Sequence, residues 1–325
     1  AVSLGSDGDT GAGRRAACHL GRTARPHRLP SRATGLLRAE APSCPIIDTH
    51  QHLWDLSRFR LPWIQSDSPL NRHFTPADYK AASEGLNIVK AVYMEVDVAE
   101  EQQQAEADFL IDLCRRGETV TVAAVVSGRP ESPNFAHYIR QFRGSRYIKG
   151  IRRVLHVPST PRGHCLSKEF VSGVRLLGEQ GLSFDLCMRS EELSDAVKLV
   201  DACPDTRFIL DHCGNEDVKK SNHDRWKRDI AELAKRKNIV AKISGIIASA
   251  APNSWKPEQL APIINHTFDV FGPDRVMFGS DWPVCTLVAS LREWVETLRS
   301  IIGHRPESEQ RRLFHDNALA FYALG

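Results

Sequence analysis

Eight short apolar runs constrain what this chain can fold into more than any other feature. They cover 46–50, 88–95, 120–126, 147–154, 182–188, 207–212, 239–244 and 275–281. Helix-like stretches lie between most of them, as at 99–116, 167–180, 190–202, 224–237 and 256–271. Strands that alternate with helices imply a parallel sheet, because each parallel connection must cross back over the sheet. Eight such strands in one chain imply an α/β fold of a single kind, a closed (β/α)8 TIM barrel. No linker interrupts residues 44–325, which read as one domain. Ser167 precedes Lys168-Glu169 and Ser190 precedes Glu191-Glu192, so both suit helix N-caps with carboxylates in the first turn. The stretch 53–75, with Trp54, Pro62, Trp63 and Pro69, is long for a first βα connection and reads as a lid or pocket wall. Residues 316–322 read as a closing helix that packs its aromatics.

Charge is unevenly spread. Residues 1–40 hold seven arginines and three acidic residues, a balance of +4, against +3 for the whole chain, so the remainder carries −1. That neutral body has no field to attract nucleic acid. No apolar run approaches the ~18 residues needed to cross a bilayer. Residues 1–43 are rich in Gly, Ala, Ser and Arg and show no period of 2 or 3.6. They read as a disordered arm or a transit peptide. The second reading directs the protein to a mitochondrion or plastid, the first leaves it cytoplasmic. The cysteines, at 18, 44, 114, 165, 187, 203, 213 and 285, include no Cys-x-x-Cys pair and read as reduced, intracellular thiols. Cys187, Cys213 and Cys285 lie near strand ends, where one of them could line a site.

Chemistry concentrates where the apolar runs stop. Ile46-Ile47-Asp48-Thr49-His50-Gln51-His52 ends in two imidazoles at spacing i, i+2, and side chains so spaced share one face of a strand, about 6.6 Å apart. Arg207 to His212 ends in a third imidazole, and Arg275 to Asp281 ends in a carboxylate followed by Trp282-Pro283. In a (β/α)8 barrel the carboxyl ends of the strands carry the active site. His50, His52, His212 and Asp281 make a plausible zinc set. The same groups could hold and activate a water without metal. Arg152, in Lys149-Gly150-Ile151-Arg152-Arg153, could clamp a substrate oxygen, and strand parity does not choose between it and Arg153. Lys242 interrupts an apolar run, Glu95 ends the second run and Trp282 follows Asp281, so these three join Arg152 as candidate substrate contacts.

In order along the chain stand Asp48-Thr49-His50-Gln51-His52-Leu53-Trp54, Gly150-Ile151-Arg152, Leu210-Asp211-His212-Cys213-Gly214, Lys242-Ile243-Ser244-Gly245 and Phe278-Gly279-Ser280-Asp281-Trp282-Pro283. Over about residues 45–324 this resembles the amidohydrolase-2 branch of the amidohydrolase superfamily. The similarity is greatest to its sugar lactonases and 2-pyrone-4,6-dicarboxylate lactonases. The resemblance implies a (β/α)8 hydrolase that opens a small-molecule lactone or related cyclic ester, a reaction of carbohydrate metabolism. It implies Asp281 as the base, with His50, His52 and His212 beside it, and it favours Arg152 over Arg153. No lysine ends the fourth run, so a binuclear centre is not expected. One divalent metal, zinc, and no metal at all both stay open. A metal-dependent decarboxylase of the carboxymuconate-semialdehyde type and an inactive barrel that binds a partner are the competing readings. The oligomeric state is left open. Deletion of residues 1–43 is expected to leave lactone turnover unchanged, and a fall in rate or solubility would show that they pack on the body.

Overall fold

A computed structural model describes residues 44–325; the expectations for residues 1–43 lie outside the described residues. The strands are β1 (Ile46–Gln51), β2 (Ile88–Met94), β3 (Thr121–Ser127), β4 (Ile148–Val154), β5 (Ser183–Cys187), β6 (Arg207–Leu210), β7 (Ile239–Ile243) and β8 (Val276–Phe278). Each pairs in parallel with the next. Helices such as Gln103–Arg116, Lys168–Glu179, Asp224–Ala234 and Pro257–Phe271 connect them, and the TIM barrel results.

β1 and β8 close the barrel through residues at and just past their carboxyl ends. The Asp281 amide donates to the His50 carbonyl (2.9 Å) and the His52 amide to that of Trp282 (2.8 Å). Asp48, fully buried, is a side-chain staple across this seam. Its Oδ1 accepts from the amides of Ser280 (2.8 Å) and His50 (3.1 Å), and its Oδ2 from the Tyr79 hydroxyl (2.6 Å). The motif glycine Gly279 is demanded by packing, since a Cβ there would sit 2.7 Å from that of His50.

Ser167 caps its helix, its hydroxyl accepting from the Phe170 amide (3.3 Å). Ser190 does not, which corrects the sequence expectation. It sits inside a tight helical turn, Ser190–Glu192, and the helix proper begins at Leu193. Glu192 is drawn instead to Arg189 (2.6 Å) and the Gly163 amide (3.0 Å). The 53–75 stretch is pinned by reciprocal backbone bonds between Trp54 and Phe74 (2.9 and 2.8 Å).

At the amino-terminal ends of the strands the interior is apolar. Ile47, Val92, Ala123, Val125, Ile209 and Met277 pack there with Ala318, Tyr322 and Leu324 from the closing segment. Basic residues of three even-numbered strands hold that segment by its carbonyls. Lys90 donates to Leu324, Lys149 to Ala323 (3.5 Å) and Arg207 to Phe321 (2.8 Å). Tyr322, 2% exposed, fills the end of the barrel. Tyr322→Ala is expected to cost about 3 kcal/mol through the cavity it leaves, read as a lowered midpoint in chemical denaturation; a cost below about 1 kcal/mol would show that the tail seals nothing.

Candidate active site

Toward the carboxyl ends of the strands the interior turns ionic. Arg152 of β4 donates through Nε to Glu95 Oε1 (2.6 Å) and through Nη2 to the Glu95 carbonyl (2.7 Å). Its Nη1 lies 3.1 Å from His50 Nε2 and 3.5 Å from Asp211 Oδ2. Lys242 of β7, fully buried, places Nζ 2.6 Å from Asp185 Oδ2 and 3.3 Å from Asp211 Oδ1. Burial alone would discharge Lys242, but Asp185 and Asp211 outweigh it and hold the ammonium charged. Arg153 points elsewhere, to Glu131 (3.4 Å).

The histidine tautomers follow from fixed partners. Nδ1 of His52 lies 2.9 Å from the Met94 carbonyl, which can only accept, so Nδ1 carries the hydrogen. Nε2 then presents a lone pair to Asp281 Oδ1 at 3.2 Å. Two lone pairs at that distance repel unless a proton or a cation lies between them. Arg152 can only donate, so His50 Nε2 accepts from it. His50 Nδ1 is left 3.5 Å from Asp211 Oδ1. Burial, aided by His212 and Lys242, drives the His50 pKa well below 6.5 and keeps it neutral. His212 places Nδ1 2.9 Å from Ser244 Oγ, and burial lowers its pKa too. Gly245 packs under this ring, where a Cβ would lie 2.2 Å from Nδ1. For Asp281 burial opposes ionisation, yet His212, His52 and His50 in their protonated forms outweigh it and lower the carboxyl to about 2.

His212 and Asp281 share a backbone feature. Both lie just past their strands with positive φ, 54° and 56°, a region that is strained for residues other than glycine and that persists mainly at functional sites. The turn after each strand thereby brings its side chain over the barrel mouth.

There a cavity of about 360 Å³ is lined by His52, Arg152, His212 and Asp281, with Trp63, Asp97, His156, Cys187, Asn215 and Ser249 among the walls. Burial, then His212 and Arg152, lower His156 to about 4; its Nδ1 lies 3.3 Å from Cys187 Sγ, and burial pushes that thiol up. His50 lies beneath the cavity, its ring 4.9 Å from that of His52 and 4.4 Å from that of His212. Of the other candidates, Glu95 and Lys242 lie under the cavity as partners of Arg152 and of the two aspartates. Trp282 packs edge-on against Phe74 and Tyr79 and does not line it. Cys213 and Cys285 are fully buried away from the cavity.

Ligand atoms of His50, His52 and Asp281 all lie within 4.8 Å of one another, as do those of His50, Asp211 and His212. Two observations suit a cation at the first group. One is the facing lone pairs of His52 and Asp281. The other is charge, since the carboxylates Glu95, Asp211 and Asp281 outnumber the cations Arg152 and Lys242 around it without counting Asp185, whose carboxyl burial raises to about 7. His50 Nε2 can join as a ligand only by releasing Arg152.

The profile of the family described as Amidohydrolase matches residues 47–324, and the chain belongs to that family. The fold and site thus define a hydrolase of the amidohydrolase superfamily. Among curated relatives, an L-fucono-1,5-lactonase of Burkholderia multivorans is 29% identical over 294 residues, covering 86% of this chain and 96% of the relative. An L-rhamnono-gamma-lactonase of Scheffersomyces stipitis is 24% identical, covering 86% of this chain and 98% of the relative. Among solved structures, an amidohydrolase from Burkholderia multivorans with bound zinc superposes with a TM-score of 0.78 at 26% identity, covering 86% of this chain and 100% of the other.

Sequence reasoning missed Asp97 and His156, which sit in loops just past β2 and β4. Their position after strand ends was the available signal. It also missed Asp211, although that residue stood beside His212 in the quoted motif, and Glu106. Fully buried, Glu106 supports the loop after β2 by accepting from the Val96 amide (3.0 Å) and the Tyr93 hydroxyl (3.1 Å). Burial, then Glu95, raises its carboxyl from 4.5 to about 8. A raised folded-state pKa contributes stability below pH 4.5 that is lost as the pH rises to about 8. Glu106→Gln is expected to flatten the fall in melting temperature over that window. An unchanged slope would mean that Glu106 is already ionised there.

Proposed function

We propose that the protein hydrolyses an uncharged sugar lactone. The observation that carries this reading is the pairing of His52 with Asp281 at the floor of a cavity in which Arg152, the one Arg or Lys among the described lining residues, is already engaged by Glu95. No lining lysine or arginine is free to hold a substrate carboxylate, and Asp97 and Asp281 would repel one. This argues against a carboxylated pyrone and against an acid awaiting decarboxylation. The family and the lactonase names of its relatives support the class of reaction.

Water held between Asp281, His52 and His212 loses a proton to Asp281 and attacks the ring carbonyl. Held in place by Glu95, the Arg152 guanidinium stabilises the charge that develops on the carbonyl oxygen by its field and not by a freed hydrogen bond, together with the adjoining imidazoles. The ring oxygen leaves and takes the proton back from Asp281. A carboxylate is a weak base for free water, which is itself a weak acid. A divalent cation, zinc in our reading, held by His52 and Asp281 with His50 or His212, would supply the acidity that water lacks. We infer from such a substrate a role in carbohydrate metabolism, and keep residues 1–43 as a candidate organelle-targeting segment.

Asp281→Asn keeps the shape of the side chain but cannot accept the proton. It is expected to lower kcat on a responsive lactone by about 10²–10⁴-fold, with KM little changed and the melting temperature preserved. Metal content measured alongside tests the ligand role, since the variant should also bind less zinc. Full kcat in the folded variant would remove Asp281 as the base.

A further inference from the structure

We propose that Asp97 reads the hydroxyl pattern of the substrate, its carboxylate accepting from two neighbouring ring hydroxyls while Trp63 covers the C–H face of the ring. The proposal rests on the sugar-lactone reading above and adds the residue that would distinguish one sugar from another.

Asp97 lies two residues beyond Glu95 in the loop after β2 and lines the cavity. Its backbone holds φ of 47°, unfavourable for a residue with a Cβ, and its amide is tied to Glu95 Oε2 at 2.7 Å. The fold therefore fixes this residue in a strained position, which is a common property of ligand-contacting sites. Its carboxylate makes no hydrogen bond or ion pair among the described residues. The basic residues whose charge acts on it lie against other carboxylates: Arg129 is 3.2 Å from Glu100, although its Nε and Nη1 make no hydrogen bond, Arg153 is 3.4 Å from Glu131 and Arg152 is 2.6 Å from Glu95. Burial, then Glu95, raises its pKa, as expected of a carboxylate short of donors. The other carboxylate at the cavity, Asp281, faces His52 Nε2 at 3.2 Å and serves the reacting water in the reading above.

Two carboxylate oxygens with open lone pairs match two adjacent O–H donors. A substrate carboxylate would be repelled, and a purely apolar ring would leave Asp97 unsatisfied. Trp63 is set beside it by the bond from its Nε1 to the carbonyl of Val96, the residue before Asp97 (2.7 Å). Its orientation is thus coupled to the same loop. A carboxylate for hydroxyls next to an aromatic face for C–H groups suits a sugar ring, polar at its edge and apolar on its faces.

The test uses hydroxylated sugar lactams, which mimic the lactone ring but resist hydrolysis, and deoxy lactams that each lack one hydroxyl. Binding to the full chain is measured by calorimetry. The wild type is expected to prefer the full lactam over one particular deoxy form by about 10- to 100-fold, the scale of a hydrogen bond to a charged group. Asp97→Gly should abolish that preference while keeping or raising the melting temperature, because glycine adopts this φ freely. Asp97→Asn, also tolerant of the backbone, should keep part of it. An Asp97→Gly protein that retains the full preference, or a wild type that shows none, overturns the proposal. Failure of the wild type to open any lactone would instead sink the lactonase reading, and lactam binding would still decide the role of Asp97.

Discussion

The ionic network inside the barrel mouth is the arrangement on which the site depends. Ions moved out of water into a protein interior are costly, and the cost is offset only where each finds close partners. Here Glu95 fastens to Arg152, Asp185 to Lys242, and Asp211 lies between the two cations. Removing one partner of such a set typically costs about 3–5 kcal/mol, because the other charge is stranded. The network also fixes His50, which is neutral, hydrogen-bonded by Arg152 and close to Asp211. Lys242 and Glu95 thus bear on the cavity without facing it, as partners of Arg152 and of the two aspartates.

Much of this was legible in the sequence. The apolar runs marked all eight strands, and His50, His52, His212 and Asp281 stood at their ends. Those four residues do come together, because a parallel barrel collects the carboxyl ends of all its strands on one face. Parity could not separate Arg152 from Arg153; only the closed barrel, with Glu95 two strands away, shows which side chain turns inward. Lys242 illustrates the opposite difficulty. A lysine in a buried strand signals a purpose, but the purpose is defined by Asp185 in β5 and Asp211 just past β6. Asp97 and His156 were hidden in loops without a period, and loop conformation, including the positive φ of Asp97, is set by local strain and tertiary hydrogen bonds that no pattern announces. Ser190 suited a cap on local grounds and was overridden when Glu192 found Arg189.

The seam between β1 and β8 has a kinetic consequence. The groups it joins are far apart in the chain: Thr49 Oγ1 reaches the Phe278 carbonyl across 229 residues, and Asp48 reaches the Ser280 amide across 232. Contacts of such separation carry a large loop-closure entropy and form late when neighbouring strands can pair first. The bonds that close this ring also deliver His50 and His52 to Asp281. A partly folded chain, with its seven strand pairings formed and the seam open, can therefore possess most of the native architecture while His50 and His52 stand apart from Asp281. Recovery of catalysis in a refolding experiment would report the last topological event, and spectroscopic recovery of helix would precede it.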